Sequence, residues 1–190
     1  MSQWLSYLPN LITIGRIIAL IPLVWFMLEK QYLYALIVMV AAGISDGLDG
    51  YLAKRFGWQG WIGGVLDPLA DKFMMLCCYL VFAVQSVIPH WLLIVVLSRD
   101  IIIITGATVY HFLIGKIEEA QPTMISKINT VLQILLILVL LVDLSLLWAV
   151  PDWLETIIIA LVVVFTAASG VDYMVRWGGR AVATEKNRSD

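Results

Sequence analysis

The sequence predicts an all-α integral membrane protein of six transmembrane helices, on three observations. Of its 190 residues 62% are hydrophobic and 14% charged, about half the charged share of an average soluble domain, and the mean hydropathy is +0.94. Apolar runs long enough for a helical crossing recur at about residues 11–28, 32–53, 65–88, 91–114, 126–148 and 154–177. The breaks between them are short and carry charge, proline or glycine. This composition excludes a soluble globular domain and a disordered chain, and a formal net charge of -2 argues against a nucleic-acid partner.

Taken in order, the chain opens with Trp4, Leu5 and Leu8 at helical spacing beside Ser2, Gln3 and Ser6, which reads either as a short interfacial helix or as a frayed terminus. Residues 1–10 carry no basic segment, so the first span is expected to stay in the protein rather than to be cleaved as a signal. Glu29 and Lys30 close the first span, the segment 54–64 the second and Pro89 the third. Residues 115–122 follow the fourth, and Pro151 with Asp152 separates the fifth from the sixth. The whole chain, 1–190, reads as a single membrane domain with a mobile tail at 180–190.

An even number of crossings puts both termini on one side of the bilayer. Lys30 alone among the basic residues belongs to the opposite face and Arg99 sits inside the fourth span, while the others lie in or near the terminal-side loops and span ends. The positive-inside tendency therefore predicts cytoplasmic termini in a bacterial inner membrane, or the matrix side in an organelle. Trp58, Trp61, Trp91, Trp148 and Trp153 suit aromatic belts at the interfaces. Cys77 and Cys78 are adjacent in an apolar run, with neither disulfide nor metal-ligand spacing.

The informative stretch is residues 45–72. Asp46 and Asp49 are three apart and Asp67 and Asp71 four apart, so each pair projects from one face of its helix. At 1.5 Å per residue Asp46 lies roughly 12 Å along its helix from Lys54, which sinks the cluster inside the cytoplasmic leaflet. Four carboxylates there repel one another and are expensive to insert, so something cationic must hold them. Hard oxygen donors without a nearby His or Cys point to Mg²⁺ or Mn²⁺, and four acids suffice for two divalent cations about 3.5 to 4 Å apart, an arrangement suited to phosphoryl chemistry. Two other readings stay open: acids paired with Lys54, Arg55 and Lys72 merely to hold helices together, and the binding site of a metal-ion transporter. Gly50, Ala53, Gly60, Gly63 and Gly64 beside the acids allow either a ligand or a second helix to approach closely.

In order, Asp46-x-x-Asp49-Gly50-x-x-Ala53-Lys54, then eight residues, then Gly63-x-x-x-Asp67-x-x-x-Asp71 resembles the signature of the CDP-alcohol phosphatidyltransferase family. The departure is Lys54, where the family usually has arginine; lysine keeps the charge and loses the planar fork. The resemblance covers nearly the whole chain and implies six helices, with the motif on the second and third. It implies that Asp46, Asp49, Asp67 and Asp71 hold two divalent cations at the pyrophosphate of CDP-diacylglycerol, and that Asp71 is the general base. It places Gly50, Ala53, Lys54 and Gly63 around the nucleotide. Asn10 and Thr13 resemble the family's upstream donor-side residues, although Asn10 also reads as a plain helix cap. Arg16 belongs to the same upstream set and is expected to bind the acceptor. A homodimer is likewise implied.

Arg99 and Asp100 lie deep in the fourth span, where an unpaired charge is costly. Either they serve each other structurally, or Arg99 binds an acceptor phosphate together with Ser126 and Lys127. The wording Ser98-Arg99-Asp100, Pro122-Thr123-Met124-Ile125-Ser126-Lys127-Ile128-Asn129-Thr130-x-x-Gln133 and Thr166-Ala167-Ala168-Ser169 is most similar to the cardiolipin synthase (CMP-forming) branch. That branch implies phosphatidylglycerol as acceptor. The alternative, with glycerol 3-phosphate as acceptor, is the phosphatidylglycerophosphate synthase branch, which carries a related Lys-x-Lys-Thr-x-x-Gln pattern.

Overall fold

The structure, a computed structural model, describes residues 8–56, 61–113 and 123–189, with side chains over 14–48, 70–103, 105 and 123–175. The described residues form six α-helices and no strand: α1 (Leu8–Leu28), α2 (Tyr32–Phe56), α3 (Trp61–Val84), α4 (His90–Leu113), α5 (Met124–Leu144) and α6 (Asp152–Ser189). Each coincides with one predicted apolar run to within a few residues, except at its C-terminal end for α6. Trp4 and Leu5 of the expected interfacial helix lie outside the described residues, and Leu8 opens α1 itself.

Three helices stop by the same device. Lys30, Ser86 and Leu146 follow α1, α3 and α5 with φ of 58°, 59° and 59°, the left-handed conformation that turns the chain off a helix. After α1, the amide of Lys30 donates to Met27 O at 3.1 Å and that of Gln31 to Phe26 O at 2.8 Å. After α3, Ser86 donates to Ala83 O at 3.0 Å and Val87 to Phe82 O at 2.8 Å. These paired bonds satisfy carbonyls that the helix end leaves without partners. The left-handed Ser86 and Leu146 also explain why α3 and α5 end four residues before the apolar runs do: hydropathy reports how far apolar residues continue, whereas the backbone turn decides where helix stops. Asp143 Oδ1 then accepts the Val150 amide at 2.9 Å and closes the loop into α6. At its other end α6 continues through the segment expected to be a mobile tail, as far as Ser189. No proline interrupts it, and Ala181, Ala183, Glu185 and Lys186 favour helix.

Contacts divide the chain into two units, with α5 contributing to both. In the first, α1 packs on both α2 and α3. Leu23, Met27, Met39, Met74, Cys78 and Phe82 are buried there. Methionine and small residues dominate this core, so its packing depends on flexible side chains filling irregular gaps. In the second unit α4 packs on α6, with Leu92, Val96, Ile158 and Val162 buried. The outward side of α1 is a stripe of Ile14, Ile17, Ile18, Ile21, Trp25 and Leu28, all exposed and at helical spacing. A continuous apolar stripe of that kind belongs against lipid or another protein rather than water. Met124–Leu144 and Asp152–Val175 are, among the described residues, the two helices long and apolar enough to cross a membrane. Ile14–Leu28 and Tyr32–Leu48 are shorter apolar stretches.

Polar ties hold α1 at its C-terminal end and near its middle. At the C-terminal end Gln85, just beyond α3, donates through Nε2 to Met27 O at 2.7 Å and accepts from the Tyr32 hydroxyl at 3.0 Å. One half-buried side chain thus joins the first three helices. Gln85→Leu removes both bonds and should lower stability by about 1 to 3 kcal/mol, read as a fall in melting temperature of the protein in micelles. An unchanged melting temperature would mean that the tie is dispensable.

Candidate active site

Arg16 forms the tie near the middle of α1. Its guanidinium is almost wholly buried, 3% exposed for the residue, and forms ion pairs with the carboxylates of Asp46 on α2 and Asp71 on α3. Nη1 lies 2.6 Å from Asp71 Oδ1, and Nη2 contacts Asp46 Oδ1. Because α1 packs against both neighbours, a long side chain about two turns inside it reaches two acids that are 25 residues apart in sequence. Arginine stays charged at any physiological pH, so its burial requires anionic partners. Both carboxylates remain 43% exposed.

The sequence assigned Arg16 to the acceptor, and the structure puts it with the acids. Two of the four expected metal-ligating residues, Asp46 and Asp71, therefore converge on one cationic position from two helices. Asp49 lies in α2 and Asp67 in α3, but both side chains are outside those described, as are those of Asn10, Thr13, Ala53 and Lys54 and the surroundings of Gly50 and Gly63. Among the described residues no group of three metal-ligating side chains assembles. The donor chemistry that is described, two carboxylates from separate helices meeting at a positive charge, fits a hard divalent cation.

A cleft of about 460 Å³ begins at Arg16 and runs between α1 and α2, lined by Gly15, Ala19, Ile37, Ala41 and Ser45 among others. Apart from Arg16 and Ser45 its walls are apolar. A side chain added at Gly15 would meet nothing within 4 Å, and the same holds at Gly43 and Gly47 on α2. The small residues at these positions therefore leave space rather than admit a packed helix. Arg16, whose guanidinium pairs with the two acids, thus lines one part of a cleft whose other walls are apolar.

In the second unit Arg99 gathers a separate set of partners. It is 5% exposed; Nη1 lies 2.6 Å from Asp100 Oδ1, Nη2 donates to Ser126 Oγ at 2.5 Å, and Nε and Nη2 donate to Ser169 Oγ at 3.2 and 2.8 Å. Ser126 is placed by the start of α5, where Thr123 Oγ1 accepts the Ser126 amide at 3.2 Å as an N-cap. The pairing with Asp100 that one sequence reading expected is present, and Ser126 meets Arg99. Lys127 is exposed, about 100° round the helix from Ser126, and takes no part in the network among the described residues. Ser169 was not singled out as a site residue. The signal that would have found it is a pair of hydroxyls, Thr166 and Ser169, on one face of an otherwise apolar span. Thr166 donates to the buried Asn129 Oδ1 at 2.9 Å and extends the polar seam.

Comparison with known proteins adds a family to this geometry. Residues 6–169 match the model of the CDP-alcohol phosphatidyltransferase family. The chain is 32% identical over 147 residues to the chloroplastic CDP-diacylglycerol--glycerol-3-phosphate 3-phosphatidyltransferase 1 of Oryza sativa, covering 68% of this chain and 44% of that protein. Its namesake in Aquifex aeolicus is 31% identical over 175 residues, 88% of this chain and 94% of that one. The cardiolipin synthase (CMP-forming) of Homo sapiens is 30% identical over 145 residues, 68% of this chain and 48% of that protein. The chain thus spans less than half the length of the rice and human relatives and nearly all of the bacterial one.

Proposed function

The chain belongs to the CDP-alcohol phosphatidyltransferase family, and from that premise we propose that it transfers the phosphatidyl group of CDP-diacylglycerol to the free terminal hydroxyl of phosphatidylglycerol, giving cardiolipin and CMP. The observation that carries the reading is the junction of Arg16, Asp46 and Asp71 with an apolar cleft: a charged centre next to a hydrocarbon-compatible wall suits a lipid pyrophosphate. A second reading, transfer to glycerol 3-phosphate, is favoured by the near full-length similarity to the Aquifex aeolicus protein.

In the proposed reaction Asp71 takes the proton of the acceptor hydroxyl, whose oxygen attacks the lipid-side phosphorus. A new phosphorus–oxygen bond forms as the bond to CMP breaks, and CMP leaves with the electron pair. Two divalent cations, Mg²⁺ or Mn²⁺, held by Asp46, Asp49, Asp67 and Asp71, would supply positive charge to the pyrophosphate. Asn10, Thr13, Gly50, Ala53, Lys54 and Gly63 are proposed to bind the donor. Arg16, Arg99, Ser126 and Lys127 are proposed to bind the acceptor, Arg99 through a guanidinium that Ser126, Ser169 and Asp100 hold in place. All six helices are proposed to cross the bilayer, with both termini and the acid site on the cytoplasmic or matrix side; the apolar outer stripe of α1 supports a lipid-facing position for it.

The test is CMP release by the purified protein in micelles with CDP-diacylglycerol and Mg²⁺ or Mn²⁺, offering phosphatidylglycerol and glycerol 3-phosphate separately and weighing the lipid products. Cardiolipin formed only with phosphatidylglycerol is the expected result. Phosphatidylglycerophosphate formed only with glycerol 3-phosphate would reverse the acceptor. Metal flux into vesicles without CMP release would instead support a transporter. Chelation of divalent cations should abolish turnover, and full activity in excess chelator would remove the metals from the mechanism.

A further inference from the structure

Two bonds of the Arg99 network depend on a separation that only backbone placement sets. Arg99 Nη2 donates to Ser126 Oγ on α5 and to Ser169 Oγ on α6. A serine hydroxyl stands one carbon from the backbone, so both reach the same nitrogen only while residues 126 and 169 keep a fixed distance. Three residues on along α5 and three back along α6, Thr166 Oγ1 donates to Asn129 Oδ1 at 2.9 Å. Equal offsets in opposite directions make these two rungs of one antiparallel register, about 4.5 Å apart along the helices. Both rungs are built within the second unit.

The second rung is an expensive way to hold two helices together. Asn129 and Thr166 are buried, and Asn129 Nδ2 has no hydrogen-bond partner among the described residues. An unpaired buried donor is costly, whereas leucine and valine would fill the same places without that cost. What the hydrogen bond adds, and an apolar pair lacks, is a defined distance and direction. We propose that Asn129 and Thr166 are positioning residues for Arg99: their bond fixes the register of α5 on α6, and that register fixes the plane of the guanidinium through Ser126 and Ser169. A planar guanidinium grips an anion through aligned N–H bonds, so a small rotation weakens its hold on an acceptor phosphate. The residues proposed to bind CDP-diacylglycerol lie on α1, α2 and α3 and should not feel the change.

The inference rests on the proposed role of Arg99 at the acceptor, and the experiment separates the two. CMP release in micelles gives KM for CDP-diacylglycerol and for whichever of phosphatidylglycerol and glycerol 3-phosphate supports turnover, in wild type, Thr166→Val, Thr166→Ser, the double variant Asn129→Leu with Thr166→Val, and Arg99→Lys. Each melting temperature is also recorded. Thr166→Val should raise the acceptor KM on the order of tenfold and leave the donor KM as in wild type. Thr166→Ser keeps the hydroxyl and should restore wild-type values. The double variant removes both partners, so its melting temperature should return close to that of wild type while its acceptor KM stays raised. A merely structural pair would instead regain the wild-type acceptor KM along with the stability. That result, or donor and acceptor KM rising together, overturns the inference; should Thr166→Val not fold, the double variant decides. Arg99→Lys, which keeps the charge and loses the fork, should raise the acceptor KM. A raised acceptor KM in Arg99→Lys with none in the rung variants overturns the inference alone. An unchanged acceptor KM in Arg99→Lys, or no CMP release from wild type with either acceptor, overturns the underlying reading and the inference with it.

Discussion

Asp71→Asn is expected to lower kcat by roughly 10²- to 10⁴-fold, the range that a positioned general base contributes. The substitution keeps the size of the side chain and one carbonyl oxygen for Arg16 while removing the charge and the proton acceptor. Donor binding should therefore survive better than turnover. The measurement is CMP release under saturating CDP-diacylglycerol, paired with calorimetric binding of the donor to the same variant. A kcat within about threefold of wild type would take the base role from Asp71. Loss of donor binding in step with kcat would move its main contribution to holding the pyrophosphate site together. Asp46→Asn separates these outcomes from the other side, because Asp46 shares Arg16 without the proposed proton transfer.

Arg99→Ala should have the other large effect, in two readouts. Truncation leaves Asp100, Ser126 and Ser169 without the guanidinium that ties α4 to α5 and α6, and breaking a buried ion pair costs about 3 to 5 kcal/mol. The melting temperature should fall accordingly. If Arg99 also binds the acceptor, KM for the acceptor should rise more than KM for CDP-diacylglycerol in whatever fraction remains folded. Ser169→Ala is the milder companion: it removes one hydroxyl partner, retains the charge, and should leave an enzyme stable enough for full kinetics. A fall in stability with both KM values unchanged would confine Arg99 to the architecture. A rise in donor KM alone would move it to the nucleotide side.

Much of this molecule is legible before any coordinates are known, for reasons that differ between its parts. The six helices follow from six long apolar runs separated by short breaks that carry charge, proline or glycine. The helix ends are less legible. Lys30, Ser86 and Leu146 adopt left-handed turns without being glycine, so the usual residue signal for such a stop is missing from the sequence. The tail from 180 onward reads as polar and terminal, yet α6 continues to Ser189 through a segment in which Ala181, Ala183, Glu185 and Lys186 favour helix.

The sequence by itself determined the family and the four acids at their helical spacing, because both depend on residue types at fixed short separations. It also placed Arg99 and Ser126 among the candidate site residues. Only the tertiary structure decided which charges meet. Arg16 and Asp71 are 55 residues apart and Arg99 and Ser169 are 70 apart, separations at which no local periodicity specifies a partner. Helix packing makes that choice. With α1 seated on both α2 and α3, Arg16 pairs with Asp46 and Asp71, since a buried guanidinium is stable only where the fold brings carboxylates within reach.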